Sequence, residues 1–505
     1  MQSMPSIKTN IGANFLASVW AAAMGIAFVP VYIKYLGMEA YGLIGVMAAL
    51  QAWSTALDLG LAPTINREVA KLRGGGAEAQ GVHDLLRSFE WLAGALAIGI
   101  CLCLWIFSGW LAGHWIRLEA LPLETARQAL SLIGAIVATR WLSALWRGGL
   151  MGMERQVWLS SYASVFVTFR NVGVLGVLAW VSPTINAYLF FFLLGSILEC
   201  IVLRSKLVAV LPRPPSSPRF SPEALRSVWR FAAGITATSI LSLALTQLDK
   251  IILTKMLPLS EFGEYMLAWT VVSVLSVVVG PVSNAIFPRL TTLHVSGDNA
   301  GLVATYHKAC QLMSILVIPA ACTLAAFSLQ ILFVWGGELG GGLPVVATLA
   351  SILAVGVMLN ALMLPPYLLT LAYGWTRFAV ITNLIAVAFI VPAMVLSVSY
   401  YGAIGAAAVF VSLNLAYIVV GMHFLHRRFL PAEKWKWYRE DVLYPLLAVL
   451  LTLLAGFRPI SGISNSFGIV VAIGLVWLVS QIGAVVATPL GRDTLASLFH
   501  RTRTS

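Results

Sequence analysis

The chain has 505 residues, of which 59% are hydrophobic and only 10% are charged. Soluble proteins carry about 25% charged residues, so this composition excludes a set of soluble domains, a disordered chain and a collagen-like repeat. A polytopic membrane protein with little mass outside the bilayer remains. The five cysteines lie in apolar stretches without metal-binding or redox spacing, as is typical of small buried residues.

Apolar stretches recur along the whole chain, each about as long as the 20 residues that a helix needs to cross the hydrocarbon core. There are fourteen, at 11–33, 40–62, 88–110, 127–148, 157–180, 184–206, 230–254, 263–287, 309–334, 344–370, 376–398, 402–425, 441–457 and 466–489. The first is a full span without a cleavage signature, so no cleavable signal peptide is expected. The sequence therefore predicts an all-α polytopic membrane protein of about 14 transmembrane helices.

The distribution of positive charge predicts the orientation of these spans. Most of the 32 lysine and arginine residues fall in loops that alternate spans place on one side of the membrane. Cytoplasmic loops carry this excess, so both termini are expected in the cytoplasm. The same bias accounts for the net charge of +12 without a nucleic-acid partner.

The two halves of the chain contain related residues at a nearly constant offset, and the clearest case precedes the second and eighth spans. Lys34, Leu36, Tyr41 and Gly42 recur as Lys255, Leu257, Phe262 and Gly263. A six-helix unit used twice gives parallel repeats of the same topology, which can rock about a central cavity. The expected organisation is an N-terminal six-helix lobe at 1–210, a Pro-rich cytoplasmic linker at 211–228, a C-terminal six-helix lobe at 229–430, and two extra transmembrane helices with a cytoplasmic tail at 431–505.

Three basic residues lie within predicted spans, where an ionised group costs roughly 2.5–3.5 kcal/mol to insert and normally faces a cavity or a partner. Arg140 and Arg170 lie about halfway along the fourth and fifth spans, and Lys250 lies in the outer third of the seventh. A cavity lined by these residues would bind an anionic group such as a pyrophosphate or an acidic sugar. The alternatives are structural bonds to carbonyls or acids for the arginines, and snorkelling to the interface for Lys250.

Two acids within the spans are candidates for carrying a coupling ion, either H⁺ or Na⁺. Asp249 adjoins Lys250, but neighbouring residues on a helix point about 100° apart, so Asp249 is expected to pair elsewhere, for example with Lys255. Asp58 lies near the inner end of the second span, where a structural pair with a base such as Arg67 is the alternative to ion coupling.

Two amides are further candidates for the cavity. Asn10 and Asn14 share one face of the first span by their i, i+4 spacing, near its cytoplasmic end. They either line the inner mouth of the cavity and meet sugar hydroxyls, or form hydrogen bonds between helices. The seven histidines show no metal spacing, so neither a metal nor a cofactor is expected.

Several short motifs together resemble the Wzx-type polysaccharide flippases of the multidrug/oligosaccharidyl-lipid/polysaccharide (MOP) exporter superfamily, over essentially residues 8–430. The motifs are Asn14-Phe15, Tyr35-Leu36-Gly37, Tyr41-Gly42, Asp58-Leu59-Gly60, Asn66-Arg67-Glu68 and Leu248-Asp249-Lys250. The resemblance implies two six-helix lobes around a V-shaped cavity. It also implies that the cavity is lined by cations, which Arg140, Arg170 and Lys250 match in kind.

The function implied by the resemblance is the movement of undecaprenyl-pyrophosphate-linked oligosaccharide repeat units from the cytoplasmic to the outer leaflet of the bacterial inner membrane, for O-antigen or exopolysaccharide synthesis. The implied partners are this lipid-linked oligosaccharide, the lipid bilayer and polysaccharide assembly proteins. The two extra helices occur in some branches of the superfamily, including lipid II flippases, where they extend a groove for the lipid tail.

Three alternatives are weighed against this interpretation. A drug/cation antiporter of the same superfamily typically has an acid in the first span, and this chain has none there. A lipid II flippase-like exporter remains open. A membrane polymerase, ligase or glycosyltransferase usually has a large external loop or a cytosolic domain, for which the loops leave no room. A transporter rather than an enzyme is therefore expected.

Overall fold

The structure, a computed structural model, describes residues 7–56, 60–337, 342–461 and 465–494. Within its helices, the side chains at 7–11, 55–56, part of 224–246, 376–379 and 457–461 are not described. The described residues form helices and connecting turns without a β-sheet, and one isolated bridge joins Arg117 to Pro258. Helices suit a membrane because they satisfy all their backbone hydrogen bonds internally.

The chain forms two compact units, residues 1–263 and 264–505. The helices of the first unit are α1 (Ile7–Ala27), α2 (Val29–Leu36), α3 (Met38–Ala56), α4 (Leu61–Arg73), α5 (Ala79–Trp110), α6 (Leu123–Gly152), α7 (Gln156–Trp180), α8 (Ile185–Val210) and α9 (Pro222–Met256). Helix α10 (Leu259–Val272) begins in this unit and continues into the second. The remaining helices are α11 (Val279–Val295), α12 (Asn299–Gly336), α13 (Leu343–Leu362), α14 (Leu364–Ala372), α15 (Thr376–Ala416), α16 (Met422–Phe429), α17 (Lys434–Lys436), α18 (Tyr444–Ser461) and α19 (Ser466–Ala487).

Helical segments coincide with all fourteen predicted apolar stretches, several of them broken. Nine helices within the described residues are long and apolar enough to cross a membrane, or ten if the bent pair Leu259–Ser276 and Val279–Val295 is one span. One of the nine, Val380–Phe429, covers most of the predicted stretch 376–398 and all of 402–425. The chain is thus a multi-pass membrane protein, and the number of fourteen spans is consistent with its helices but stays a prediction.

The breaks in these helices have local causes. Helix α13 ends at Leu362, and α14 begins at once with Pro365 and Pro366 near its start, because a proline cannot continue the hydrogen-bond ladder of the preceding turn. Inside α15 the chain reverses at Gly402, whose φ of 58° favours a residue without a side chain. The Pro-rich stretch before α9 contains no helix, as its composition predicts.

Helix α6 lies at the centre of the first unit, where it packs against α3, α4, α5 and α8. Small residues allow this close packing, as in many membrane bundles. A Cβ atom at Gly148 would lie 2.5 Å from the carbonyl oxygen of Ala62, and one at Gly152 would lie 2.5 Å from that of Asn66. These glycines therefore bring α6 against the backbone of α4.

The starts of α3 and α10 contact each other through two glycines. A Cβ atom at Gly42 would collide with the carbonyl oxygen of Leu259, and one at Gly263 would lie 2.6 Å from the carbonyl oxygen of Met38. The contact is reciprocal, since Met38 and Gly42 correspond to Leu259 and Gly263 in the predicted repeat. The repeat seen in the sequence is therefore also a local pseudo-symmetry of the structure.

Helix α9 packs against α3, α4 and α5, which explains why the first compact unit extends to residue 263. Its C-terminal end is also held by hydrogen bonds. The Lys255 ammonium donates to the His114 carbonyl at 2.5 Å, and the Leu259 amide donates to the Arg117 carbonyl at 2.9 Å. The lobe limits expected from the repeat, with a boundary in the linker, stay a prediction.

Helix α12 is the centre of the second unit, where it packs against α11, α13, α18 and α19. Helices α18 and α19 form an antiparallel hairpin, and Gln481 of α19 donates from its amide to the Ile315 carbonyl of α12 at 2.8 Å. The two C-terminal helices are therefore an integral part of this unit's core.

Candidate functional site

Arg140 of α6 and Arg170 of α7 approach one aromatic ring in the first unit. The guanidinium carbon of Arg170 lies 4.4 Å from the centre of the Phe192 ring of α8, and that of Arg140 lies 5.9 Å from it. Both distances are within the range of cation–π interactions. The structure thus brings together the two arginines that the sequence singled out, and we call them the arginine pair.

An aromatic and amide wall extends from Phe192 to the first span. Tyr188 stacks on Phe192 with ring centres 6.0 Å apart and meets Tyr32 of α2 edge-on at 5.3 Å. The Tyr32 hydroxyl donates to Asn171 Oδ1 at 2.7 Å, and the Asn171 amide donates to the Val167 carbonyl. These groups fix the position of the α7 turn that carries Arg170.

Neither member of the arginine pair has a carboxylate within ion-pair distance among the described residues. Arg140 instead donates to the side-chain oxygen of Gln51 in α3 at 3.1 Å. Glu199 attracts Arg140 at longer range, but its buried carboxylate is already paired with Arg147 at 2.6 Å. Among the described residues, therefore, no direct contact neutralises the charge of the arginine pair, an arrangement that would suit an anionic ligand.

Lys250 and Asp249 do pair with each other, contrary to the expectation that they face different points. The Lys250 ammonium lies 3.3 Å from both carboxylate oxygens of Asp249, and both side chains are mostly buried. The flexible four-carbon stem of lysine bridges the angle between neighbouring helix positions. Lys255 contacts the His114 carbonyl and lies over the Trp115 ring at 5.4 Å.

Of the remaining predicted site residues, one takes part in helix packing and the others are not described by the structure. Asn14 accepts a hydrogen bond from the Ser160 hydroxyl of α7 at 2.7 Å, which corresponds to the structural alternative for this residue. The side chain of Asn10 and the whole of Asp58 lie outside the described residues. Arg67, an expected partner for Asp58, is paired with Glu68 at 2.7 Å.

A second cluster of ionisable groups lies in the second unit, where sequence reasoning did not expect it. His307 of α12 contacts Asp441 through Nδ1 at 2.5 Å and Glu433 through Nε2 at 3.0 Å. Gln311, one turn later on α12, donates to Asp441 at 2.8 Å. We call these four residues the His307 cluster. No group of three or more His, Cys, Asp or Glu side chains within the described residues, this cluster included, is arranged to hold a metal ion.

An apolar groove of about 870 Å³ lies between the two limbs of α15. Its lining includes Ile381, Ile385, Phe389, Val409, Leu413 and Phe424. Trp375 borders the groove, and the Arg428 guanidinium stacks on its ring at 4.5 Å. Such a surface suits a hydrocarbon chain rather than a sugar.

Known proteins resemble this chain in sequence and in fold. A protein-family model described as "Polysaccharide biosynthesis protein" matches residues 7–294. The "Putative O-antigen transporter" of Shigella flexneri is 23% identical over 376 residues, which make up 74% of this chain and 86% of that protein.

Two solved structures share the fold. The lipid II flippase MurJ in an inward closed conformation gives a TM-score of 0.70 at 14% identity, with 97% of this chain and 100% of that chain covered. An inward-facing multidrug resistance MATE transporter of the MOP superfamily gives a TM-score of 0.59 at 14% identity, with 83% and 96% covered. These matches confirm the expected fold class of all-α, MOP-type membrane proteins.

Proposed function

Because the chain belongs to the polysaccharide biosynthesis protein family, we propose that it flips lipid-linked oligosaccharide repeat units of the undecaprenyl-pyrophosphate type. The movement runs from the cytoplasmic to the outer leaflet of the bacterial inner membrane. This class of cargo has a polar, anionic head that cannot cross hydrocarbon cheaply and a tail that need not leave it. A flippase therefore needs a shielded site for the head.

The arginine pair is the observation that carries this proposal. Two guanidinium groups share the Phe192 ring within a bundle of apolar helices, without a carboxylate in direct contact among the described residues. Guanidinium groups bind phosphate oxygens in a forked geometry, which suits a pyrophosphate better than a single point charge would. Phe192 and the Tyr188 ring beside it are both buried, and they support the two guanidinium groups from within the bundle.

The mechanism proposed for this site is alternating access. The two same-topology lobes, at 1–210 and 229–430, would rock about the head-group site, with the linker at 211–228 on the cytoplasmic side. Release of the anion on the far side requires a lower affinity in the outward state. The mostly buried pair Asp249–Lys250 is the proposed place for H⁺ or Na⁺ coupling, since an ion that neutralises Asp249 would weaken its attraction for Lys250.

The orientation is part of the same proposal, with both termini in the cytoplasm. Cysteine substituted at Ser216, in the linker, should react only with membrane-permeant maleimide in intact cells. Cysteine at Ser182, in the turn between α7 and α8, should also react with an impermeant reagent. The reverse pattern would overturn the proposed orientation.

Binding of a pyrophosphate-linked lipid to the purified protein in nanodiscs tests the head-group site. A hydrogen bond to a charged group contributes about 1.5–3 kcal/mol, so Arg170→Ala should weaken binding by about 10- to 100-fold, as should Arg140→Ala. Arg170→Lys should recover only part of the affinity, since it keeps the charge but not the fork.

Arg127→Ala is the matched control, since Arg127 also lies on α6 but is exposed and paired with Glu124. It should bind the lipid like the wild type. Wild-type affinity in both Arg140→Ala and Arg170→Ala would place the head group elsewhere and overturn the assignment.

A further inference from the structure

His307 lies between two carboxylates, and its ring geometry determines how many protons the cluster holds. A carboxylate oxygen lies within hydrogen-bond distance of each ring nitrogen, Asp441 at Nδ1 and Glu433 at Nε2. Neutral imidazole carries a proton on only one of its two nitrogens. Two ionised carboxylates therefore leave one contact without a hydrogen, and both hydrogen bonds form only if the cluster holds one further proton, on the ring or on a carboxyl group.

Burial of the cluster means that loss of this proton would break a contact that water cannot replace. The Asp441 side chain is fully buried and that of His307 is 6% exposed, so water cannot replace a lost partner. An unpaired buried polar group costs about 1–3 kcal/mol, and more if it is charged. After deprotonation, a carboxylate oxygen would face a lone pair of His307 at one of the two positions, and that contact would open.

The same cluster connects both ends of the C-terminal hairpin to α12. Asp441 lies three residues before the start of α18, and Gln311 Nε2 donates to its carboxylate. Gln311 Oε1 accepts from the backbone amide of Leu490, which follows α19, at 2.8 Å. His307 and Gln311 lie one turn apart on α12, so one face of one helix holds the beginning and the end of the hairpin.

Other titratable groups surround the cluster, but the two hydrogen bonds of His307 run directly to the carboxylates. The Nδ1 of His426 donates to the Met422 carbonyl and its Nε2 lies 3.2 Å from the Tyr306 hydroxyl, so the hydrogen bonds of this ring go to other groups than the two carboxylates. Lys436 lies 3.6 Å from Glu433 and compensates part of its charge. Asp441 also interacts electrostatically with Tyr306, Cys310 and Glu440. Lys434 and Tyr438 lie one step further out, where they act on His426 and Tyr306.

We propose that His307, Asp441 and Glu433 form a proton-binding site, and that the bound proton holds the α18–α19 hairpin on α12. The closed arrangement, in which the hairpin is docked on α12, binds one proton more than an open arrangement in which these contacts are broken. The proton therefore stabilises the closed arrangement at low pH, and this stabilisation is lost as the pH rises. The site does not depend on the identity of the cargo.

Hydrogen–deuterium exchange of the full-length protein in nanodiscs tests the proposal, with exchange times corrected for the intrinsic pH dependence of amide exchange. The amides to follow are those at 437–443 and 488–494, measured between about pH 5 and 8, where histidine titrates. Wild-type protection should fall as the pH rises, by at most about tenfold per pH unit, which is the limit for one proton.

Two variants separate a proton site from a merely structural contact. Glu433→Gln should keep the hairpin protected at every pH, because its amide donates to Nε2 and removes the need for the further proton. This position is only partly buried, so the variant tests the proposal even if a variant of His307 fails to fold. His307→Gln should be weakly protected and insensitive to pH.

The matched control is His423→Gln, an exposed histidine of α16 that contacts Lys434 and not the cluster. It should retain the pH dependence of the wild type. A wild-type protection that follows only the intrinsic exchange rate would overturn the proposal. The wild-type pH dependence in Glu433→Gln or His307→Gln would overturn it as well.

Discussion

The reciprocal glycine contact between α3 and α10 gives a quantitative prediction. Gly42→Ala places a methyl group against the backbone oxygen of Leu259, and Gly263→Ala places one against that of Met38. A flexible side chain cannot relieve either collision, because backbone atoms are involved. Forcing an extra methyl group into a packed contact lowers the unfolding free energy by about 1–3 kcal/mol. The higher helix propensity of alanine over glycine recovers up to about 1 kcal/mol of it. Each variant should therefore lose about 1–2 kcal/mol of unfolding free energy.

The double variant should cost less than the sum of the two single variants, by at least about 0.5 kcal/mol, because the first substitution already separates the helices that the second would separate. Unfolding titrations with SDS in mixed micelles measure these differences.

Gly94→Ala on α5 is the matched control, since a Cβ atom there meets nothing within 4 Å. It should be neutral or stabilising. Two results would contradict this close contact between α3 and α10. One is an unfolding free energy for Gly42→Ala that changes no more than that of Gly94→Ala. The other is a double variant whose loss equals the sum of the losses of the two single variants.

Two further predictions concern ion pairs. Glu199→Gln removes the buried carboxylate that pairs with Arg147, and it should lower the unfolding free energy by about 3 kcal/mol. This is the lower end of the range for breaking a buried pair, because Arg147 is itself partly exposed. Unfolding in SDS measures the loss, and a value below about 1 kcal/mol would show that the pair is not needed for folding. Asp249→Asn should abolish any dependence of transport on an H⁺ or Na⁺ gradient in proteoliposomes by neutralising the partner of Lys250, and an unchanged gradient dependence would remove Asp249 from coupling.

The sequence predicted the arginine pair because a charge in an apolar span is rare and expensive. Arg140 and Arg170 stand out on that basis alone, and adjacent spans of similar depth bring them close together. The pairing of Asp249 with Lys250 was wrongly excluded, because an argument from Cβ directions underestimates the reach of a long lysine side chain.

The His307 cluster could not be found in the same way. Its histidine and its acids lie at the ends of apolar stretches, where ionisable residues are common and give no signal. The contacts join residues more than 120 positions apart, so only the packing of the connector before α18 against α12 brings them together. The one local hint was that His307 and Gln311 share a helix face at the start of a long apolar run.

The fold was more predictable than the limits of its compact units. Apolar length and a constant repeat offset indicated the helices and their duplication. The packing of α9 along α3, α4 and α5 depends on side-chain fit between distant segments, and no periodicity in α9 itself indicates it.

The most direct test of the account is the rate at which a fluorescent undecaprenyl-pyrophosphate-linked oligosaccharide crosses the bilayer of proteoliposomes. Wild-type protein and Arg127→Ala should move it, and the double variant Arg140→Ala/Arg170→Ala should be slower by about 100-fold or more, as expected for the loss of two charge-assisted contacts. Equal rates in the wild type and the double variant would contradict the head-group site, and no movement by wild-type protein would contradict the flippase itself.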